Sequence, residues 1–273
     1  MANMPNLKDH RLRVMEAILI WEGELGNARV RQLFGIQTVQ ASRLLAQFRE
    51  MMAGRIFEDS RAKVLRLLDP SDVREELSLD DYIHQILANG HPDPYIVDGR
   101  IDLTGVQPSI FSVLRAAAAE GSGVVISYAS MSNPIYATRT IYPHSLVRVG
   151  RRWHARAWCA SRNDFRDFAL GRIQSATALP EQAPYAAADD AAWNKLVDVR
   201  IVPHQALTLE QQQVVRNESF AGMMAIRAKV RACLVQYVIQ DLRAAIDPVR
   251  QAPPEFQLEV ANVSALKPYL FQT

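Results

Sequence analysis

Between Gly121 and Pro180 the chain carries eight arginines and no lysine, set against two aspartates. A guanidinium is a flat fork of donors that pairs bidentately with phosphate or carboxylate, so this stretch points to anion recognition more than to a merely solvated basic face. Two histidines, His144 and His154, lie within it and could meet across strands. Imidazoles beside arginines can shuttle protons in phosphodiester cleavage, but the surrounding positive charge disfavours a protonated general acid. The patterns G-x-x-x-x-G-K-S/T, G-x-G-x-x-G, G-x-S-x-G and H-E-x-x-H do not occur, and the six histidines are scattered without metal-ligand spacing. The expectation is a binding protein with no catalytic residue, no metal and no cofactor.

A second group of residues suits nucleic acid. Residues 38–52 place Ala41, Leu44, Leu45, Phe48 and Met52 on one apolar stripe at helical spacing. Gln40, Arg43 and Gln47 then share the opposite face, where Gln can pair with adenine and Arg with guanine in a major groove. Thr38 and Ser42 are placed to reach phosphates, and Arg49 is a further phosphate candidate. Ahead of this helix, residues 7–21 place Leu7, Val14, Ala17, Ile18 and Trp21 near helical spacing. A short helix, ARVRQLF, follows, capped by Asn27, and stops at Gly35, three residues before Thr38. That spacing is a helix-turn-helix. The run RIFEDSRAKVLRLL reads as two strands around a turn near Asp59-Ser60, a wing bearing Arg61 and Lys63. The alternative is an ordinary three-helix packing module with a polar outer helix.

The elements that must position these groups follow from length and charge. A chain of 273 residues, 49% apolar, exceeds what one core supports, and three domains are expected: residues 1–95, 105–181 and 184–273. The net charge of +2 conceals segregation: residues 1–68 carry 11 basic and 7 acidic side chains, residues 69–120 carry 3 and 10, and residues 121–180 carry 8 and 2. Two basic segments therefore flank an acidic connector, whose helix SLDDYIHQILANG precedes the loop HPDPYIVDG. Cys159 and Cys233 lie far apart with no C-x-x-C, which fits a reducing compartment. The start of the chain has no apolar signal-peptide core, and no stretch reaches the roughly 18 apolar residues of a membrane span. A cytoplasmic protein is expected.

In the middle segment a helix, IFSVLRAAAAEG, leads into four strand-like runs, VVISY, RTIYPHSLVRV, RRWHARAWC and FRDFALGRI, spaced as in a small barrel. Alternation turns Arg152, His154, Arg156 and Trp158 to one face and Trp153, Ala155, Ala157 and Cys159 to the other. In the fourth run Arg166, Phe168, Leu170 and Arg172 share a face, so arginines of neighbouring strands could converge. Trp153 falls on the core side by this count, Tyr128 could serve core or pocket, and Arg139 could pair with Asp164 or Asp167.

The string Ser127-Tyr128, Arg139, Tyr142-Pro143-His144-Ser145-Leu146, Arg151-Arg152-Trp153-His154, Arg156-Ala157, Phe165-Arg166-Asp167-Phe168 and Arg172-Ile173 resembles a WYL domain. Trp153-His154-Ala155 stands where that family's Trp-Tyr-Leu triplet sits, and the order over nearly the whole chain is similar to the WYL regulators encoded with phage-defence systems, the BrxR and CapW repressors. The resemblance implies an α+β multidomain protein: an N-terminal winged helix-turn-helix, a central Sm/SH3-like β-barrel and a C-terminal α/β extension of the WCX type. It also implies that Tyr128, Arg139, His144, Trp153, His154, Arg156, Arg166 and Arg172 lie at or near a pocket for a nucleotide, an oligonucleotide or a similar anion. Gly171 stands where a serine is expected, which removes one hydroxyl contact.

After the alanine-rich link EQAPYAAADDAAW, LVDVRIVPH alternates as a strand, LTLEQQQVVRNES reads as a helix and MMAIRAKV as a second strand. In a longer helix, RACLVQYVIQDLRAA, the residues Cys233, Leu234, Tyr237, Val238, Asp241 and Leu242 form a stripe that could pack internally or against a second copy. The implied function is a homodimeric repressor of a phage-defence operon on a palindromic double-stranded operator, modulated by the pocket's ligand. The alternative is a nucleic-acid- or nucleotide-binding accessory subunit that regulates a defence enzyme by contact.

Overall fold

A computed structural model describes residues 7–69, 78–88, 95–101 and 104–271, in two compact units that divide at residue 100. The first contains α1 (Leu7–Glu22), β1 (Leu25–Gly26), α2 (Asn27–Phe34), α3 (Thr38–Met51), β2 (Ile56–Asp59), β3 (Val64–Leu67) and α4 (Leu79–Ala88), with the strands in the order β1-β3-β2. The second half of helix α1 is the centre of the core: Val14, Met15, Ala17, Ile18 and Leu19 are buried. Trp21, expected on its stripe, is instead 41% exposed. The side chain of Leu7 lies outside the described residues. Gly35 ends α2 in the left-handed region (φ 60°), which a glycine enters without steric cost. The cap of α2 is Gly26 rather than Asn27. Asn27 faces forward, its amide donating to the Thr38 carbonyl (3.2 Å) and to Ser42 Oγ (3.0 Å), which fixes α2 against α3.

Along α3 the expected stripe is inside, with Ala41, Leu45, Phe48 and the following Met52 buried and Leu44 half-buried. The wing is the β2–β3 hairpin, with Asp59 opposite Val64. Asp59 Oδ1 accepts from the backbone amides of Arg61 (3.1 Å) and Ala62 (3.0 Å), an Asx turn that shapes its tip. The connector helix α4 is more than a connector: Tyr82 and Ile86 are buried in the first core, and the Tyr82 hydroxyl donates to Glu22 (3.0 Å). Residues 89–90 of the expected helix and 91–94 of the expected loop, including both of the loop's prolines, lie outside the described residues.

The second unit opens with α5 (Pro108–Glu120), closed by Gly121 (φ 67°). Five strands follow where four were expected: β4 (Ser122–Tyr128), β5 (Ala137–Val149), β6 (Arg152–Cys159), β7 (Asp164–Ala169) and β8 (Ile173–Gln182). The expected fourth run is cut by a 3-10 turn over Leu170–Arg172, after which β8 pairs with β4. The sheet is antiparallel throughout, in the order β7-β6-β5-β4-β8, and the 13-residue β5 is shared between β4 and β6. Its core joins Ile110 and Leu114 of α5 to Val124, Ile126, Ile141, Ala155, Ala157 and Phe168.

The link is ordered and contains a one-turn helix, α6 (Ala191–Asn194). A second sheet, β10-β9-β12-β11, comprises β9 (Leu196–Pro203), β10 (Ile226–Arg231), β11 (Ala244–Ala245) and β12 (Leu258–Val260). Helix α7 (Leu209–Phe220) is capped by Thr208, whose hydroxyl accepts from Gln211. Met223 and Met224, expected in the second strand, precede it and are exposed. The long helix expected over residues 231–245 shortens to a 3-10 turn and α8 (Val235–Asp241), ended by Arg243 in the left-handed region (φ 48°). The face of α8 that enters the core carries Val235, Gln236 and Ile239, about one residue round from the expected stripe, while Leu242 is exposed.

Candidate nucleic-acid interface and anion pocket

The outer face of α3 presents Thr38, Gln40, Ser42 and Arg43, all exposed, with Gln47 half-buried. Three of the expected DNA contacts are partly committed elsewhere. Gln40 Oε1 accepts from the Gln37 amide (3.3 Å) and closes the first turn of the helix, so base reading by Gln40 competes with a cap. Ser42 Oγ holds Asn27, and Arg49 pairs with the wing's Glu58 (3.1 Å) in an exposed ion pair. Arg43, Arg61 and Lys63 are exposed and form no ion pair among the described residues. Val39 is 63% exposed, one helical turn before Arg43.

The second site is a cavity of about 440 Å³ between the five-stranded sheet and the C-terminal domain. Tyr128, His154 and Arg172 of the expected set line it, joined by Arg151 and Arg152 and, from the C-terminal side, Tyr237, Gln240, Asp241, Arg243 and Phe271. The β5–β6 turn, where Gly150 has φ 56°, carries Arg151, Arg152 opens β6 after it, and the 3-10 turn breaks strand alternation to bring Arg172 round. None of these four arginines forms an ion pair among the described residues. His154 is 4% exposed, packs its ring 4.7 Å from that of Tyr237, and leaves Nδ1 without a hydrogen-bond partner among the described residues. Burial first, and then the charges of Arg152 and Arg172, push its pKa down to about 4, so it is neutral at pH 7. The lining also includes the carboxylates of Asp167 and Asp241, so four guanidiniums outnumber two carboxylates, and with a neutral imidazole and three aromatic rings they can hold a phosphate with an attached base.

Five of the expected pocket residues are not among those lining the cavity. Arg156 is buried and fully engaged: Nε and Nη2 clasp Asp190 at 2.7 and 3.0 Å, and Nη1 reaches Asp167 at 3.2 Å. Its pKa is raised because those two carboxylates outweigh its burial. His144 sits at the irregularity in β5, where Pro143 pairs with Ala157 and Ser145 with Arg156, and this bulge turns it onto Asp190 (3.2 Å) between Phe165 and Trp193. Burial lowers its pKa, the Asp190 contact opposing. His144 and His154 therefore occupy separate environments. Arg166 pairs in register with Ala157, exposed and bridged to Asp164 (2.9 Å), and it is Asp167 that stands opposite Arg156. Trp153 is half-buried and packs against the core edge-on to Phe111, ring centroids 5.7 Å apart. Arg139 lies over the Tyr128 ring at 5.7 Å with Nε unpartnered, and the aspartates considered for it are taken by Arg166 and Arg156.

Asp190 was missed in the sequence, although it precedes Ala191-Ala192-Trp193-Asn194 as a helix cap should, its carboxylate accepting from the Trp193 amide at 3.0 Å. It is 1% exposed, and burial, which alone would raise its pKa, is outweighed by the Arg156 hydrogen bonds, which hold it below the usual carboxylate value. Tyr237 and Arg243 were also missed as pocket residues, because they lie on the C-terminal domain, far along the chain from the strands that they face.

Among the described residues no cluster of three or more metal-ligating side chains occurs, and no helix is long and apolar enough to cross a membrane. Family models match three stretches: the BrxR transcriptional regulator winged helix-turn-helix domain at residues 8–70, the WYL domain at 109–178 and the BrxR transcriptional regulator C-terminal dimerization domain at 196–266. The chain is 30% identical to the DNA-binding transcriptional repressor CapW of Escherichia coli (strain KTE188), over 93% of this chain and 89% of that protein. It is 28% identical to the repressor CapW of Pseudomonas aeruginosa, over 95% and 91%. Among solved structures, the proteasome accessory factor B/C of Arthrobacter aurescens aligns with a TM-score of 0.30 at 17% identity, over 96% of this chain and 45% of that one, so this chain spans under half its length. These matches describe regulators rather than enzymes, and the chain belongs to the WYL-domain transcriptional regulators of the CapW and BrxR kind.

Proposed function

We propose that the chain is a homodimeric DNA-binding transcriptional repressor that occupies a palindromic operator of a phage-defence operon and is modulated by a nucleic-acid-derived anion. Its working parts are residues 1–95 for DNA, 105–181 for the ligand and 184–273 for dimerisation. The observation that carries the DNA reading is Arg43, exposed on the outer face of α3 and without an ion pair among the described residues, with Thr38 and Ser42 beside it and Arg61 and Lys63 on the wing. A two-fold dimer suits this arrangement, because two such helices can read the half-sites of a palindrome on one face of the duplex. The repressor names of its relatives and the match to a dimerization domain support the same reading.

The ligand acts through the cavity that holds Tyr128, His154 and Arg172. To change operator affinity a hundredfold, it must bind the two states with free energies about 2.7 kcal/mol apart. Selection of genomic fragments on the full-length protein, followed by sequencing, tests the proposal. An inverted repeat upstream of a defence operon is expected, and retention of all fragments alike would overturn it.

A further inference from the structure

Successive residues of an α-helix turn about 100° round its axis, so the buried side chains of α3 fix which others point away from the core. Ala41, Leu45 and Phe48 are buried, and the row opposite them is Val39, Arg43, Ala46 and Glu50, at i, i+4, i+7 and i+11, all exposed. Gln40 and Gln47 lie on the flank of this row, Gln47 half-buried and Gln40 Oε1 accepting from the Gln37 amide (3.3 Å). The outermost row of the helix therefore sets one guanidinium between two aliphatic side chains. Val39 gains nothing for the fold by its type: it is 63% exposed, it lies outside the core of its domain, and a β-branched residue is a poorer helix former than alanine. In a major groove, however, the apolar group that a base pair presents is the thymine C5-methyl, which an aliphatic side chain can cover.

We propose that Val39 is a specificity-determining residue of the DNA interface, its methyl groups seated on a thymine methyl next to the base that Arg43 reads. With α3 lying in the groove, residues one turn apart stand about 5.4 Å apart along the helix and stacked base pairs about 3.4 Å apart, which places that thymine one or two base pairs from the Arg43 contact. Ala46, on the other side of Arg43, is small enough to let the helix approach the base edges, and Glu50 at the far end repels phosphate, which keeps base reading in the first half of α3. The inference rests on the DNA reading above and adds to it the identity of one base pair in each half-site.

The test uses the full-length protein and a synthetic duplex of its selected inverted repeat. Each thymine in turn, at equivalent positions of both half-sites, is replaced by uracil, which pairs identically but lacks the methyl. In competition shift assays the parent is expected to lose about fourfold in affinity per half-site at a thymine one or two base pairs from the position where Arg43→Ala relaxes preference. Val39→Ala keeps a good helix former at an exposed site, so its unfolding midpoint is expected to equal or exceed that of the parent. It should bind the thymine duplex more weakly than the parent does and bind the thymine and uracil duplexes alike at that position. A parent indifferent to uracil at every position, or a Val39→Ala variant that distinguishes the two duplexes as well as the parent does, would overturn the assignment of Val39 while leaving the DNA reading intact. Failure of the parent to select any repeat would overturn both.

Discussion

Arg156 and Asp190 form a bidentate ion pair, Nε to Oδ2 at 2.7 Å and Nη2 to Oδ1 at 3.0 Å, with both residues buried. Asp190 also accepts from His144 and caps α6, and Asp167 on the far side of Arg156 accepts from the Tyr237 hydroxyl at 3.3 Å. A β6 residue, the ordered link and α8 are thereby joined in one polar network beside the cavity.

Removing one member should expose the cost of the other. Asp190→Ala leaves a buried guanidinium with one of its two carboxylates and takes away a helix cap, and a loss of about 3–5 kcal/mol is expected in urea unfolding at pH 7. A loss below about 1 kcal/mol would mean that the pair is not integral to the fold.

His154 makes stability depend on pH. Its folded pKa of about 4 lies below the ordinary 6.5, so between those values the unfolded chain binds the proton that the native one refuses. Stability is therefore greatest above pH 6.5 and falls as pH drops toward 4, by on the order of 2–3 kcal/mol from this group. His154→Phe keeps a ring against Tyr237 and should flatten that part of the pH profile relative to the parent. The groups around it are Arg152, Arg172, Tyr237 and the Asp167 carboxylate held by Arg156, and an anion placed among them offsets the two arginines. Ligand binding should therefore take up protons and tighten between pH 7 and 5, which calorimetry in buffers of different ionisation enthalpy measures.

On the DNA side, Arg43→Ala should cost about 1–3 kcal/mol on the selected site and relax preference at one base pair, whereas Arg61→Ala should weaken all sequences alike and lower the salt slope by about one. Competition shift assays separate the two patterns. Equal, sequence-independent losses for both variants would remove Arg43 from base reading.

Trp153 provides a control for the pocket. Because it packs on Phe111, Trp153→Ala is expected to destabilise by roughly 2–4 kcal/mol while leaving affinity for a 5′-phosphorylated thymidine tetranucleotide within twofold in the surviving folded protein. A selective loss of affinity would return it to the binding site.

Much of this was legible because local periodicity is. The α3 stripe and the core side of β6 with Ala155, Ala157 and Cys159 follow from spacing of 3.6 and 2, and the stop at Gly35 from glycine's freedom to turn left-handed. What covers the other side of β6 is a long-range matter. Alternation sets Arg156 on a polar face, yet only the tertiary structure supplies Asp190, 34 residues later, to close over it. His144 was misplaced by a bulge that shifts register, Arg166 by assigning β7 to the wrong face, and α8 by a left-handed arginine that stops a helix its composition would continue.

The central claim is that operator sequence, and not phosphate charge alone, determines where the chain binds. The most direct test is the affinity of the full-length protein, across a salt titration, for its selected inverted repeat and for a scrambled duplex of equal length. The account predicts tighter binding to the repeat by about a thousandfold or more near physiological salt, with half-sites about one helical turn apart. Affinities that stay within tenfold of each other and fall together with salt would contradict it.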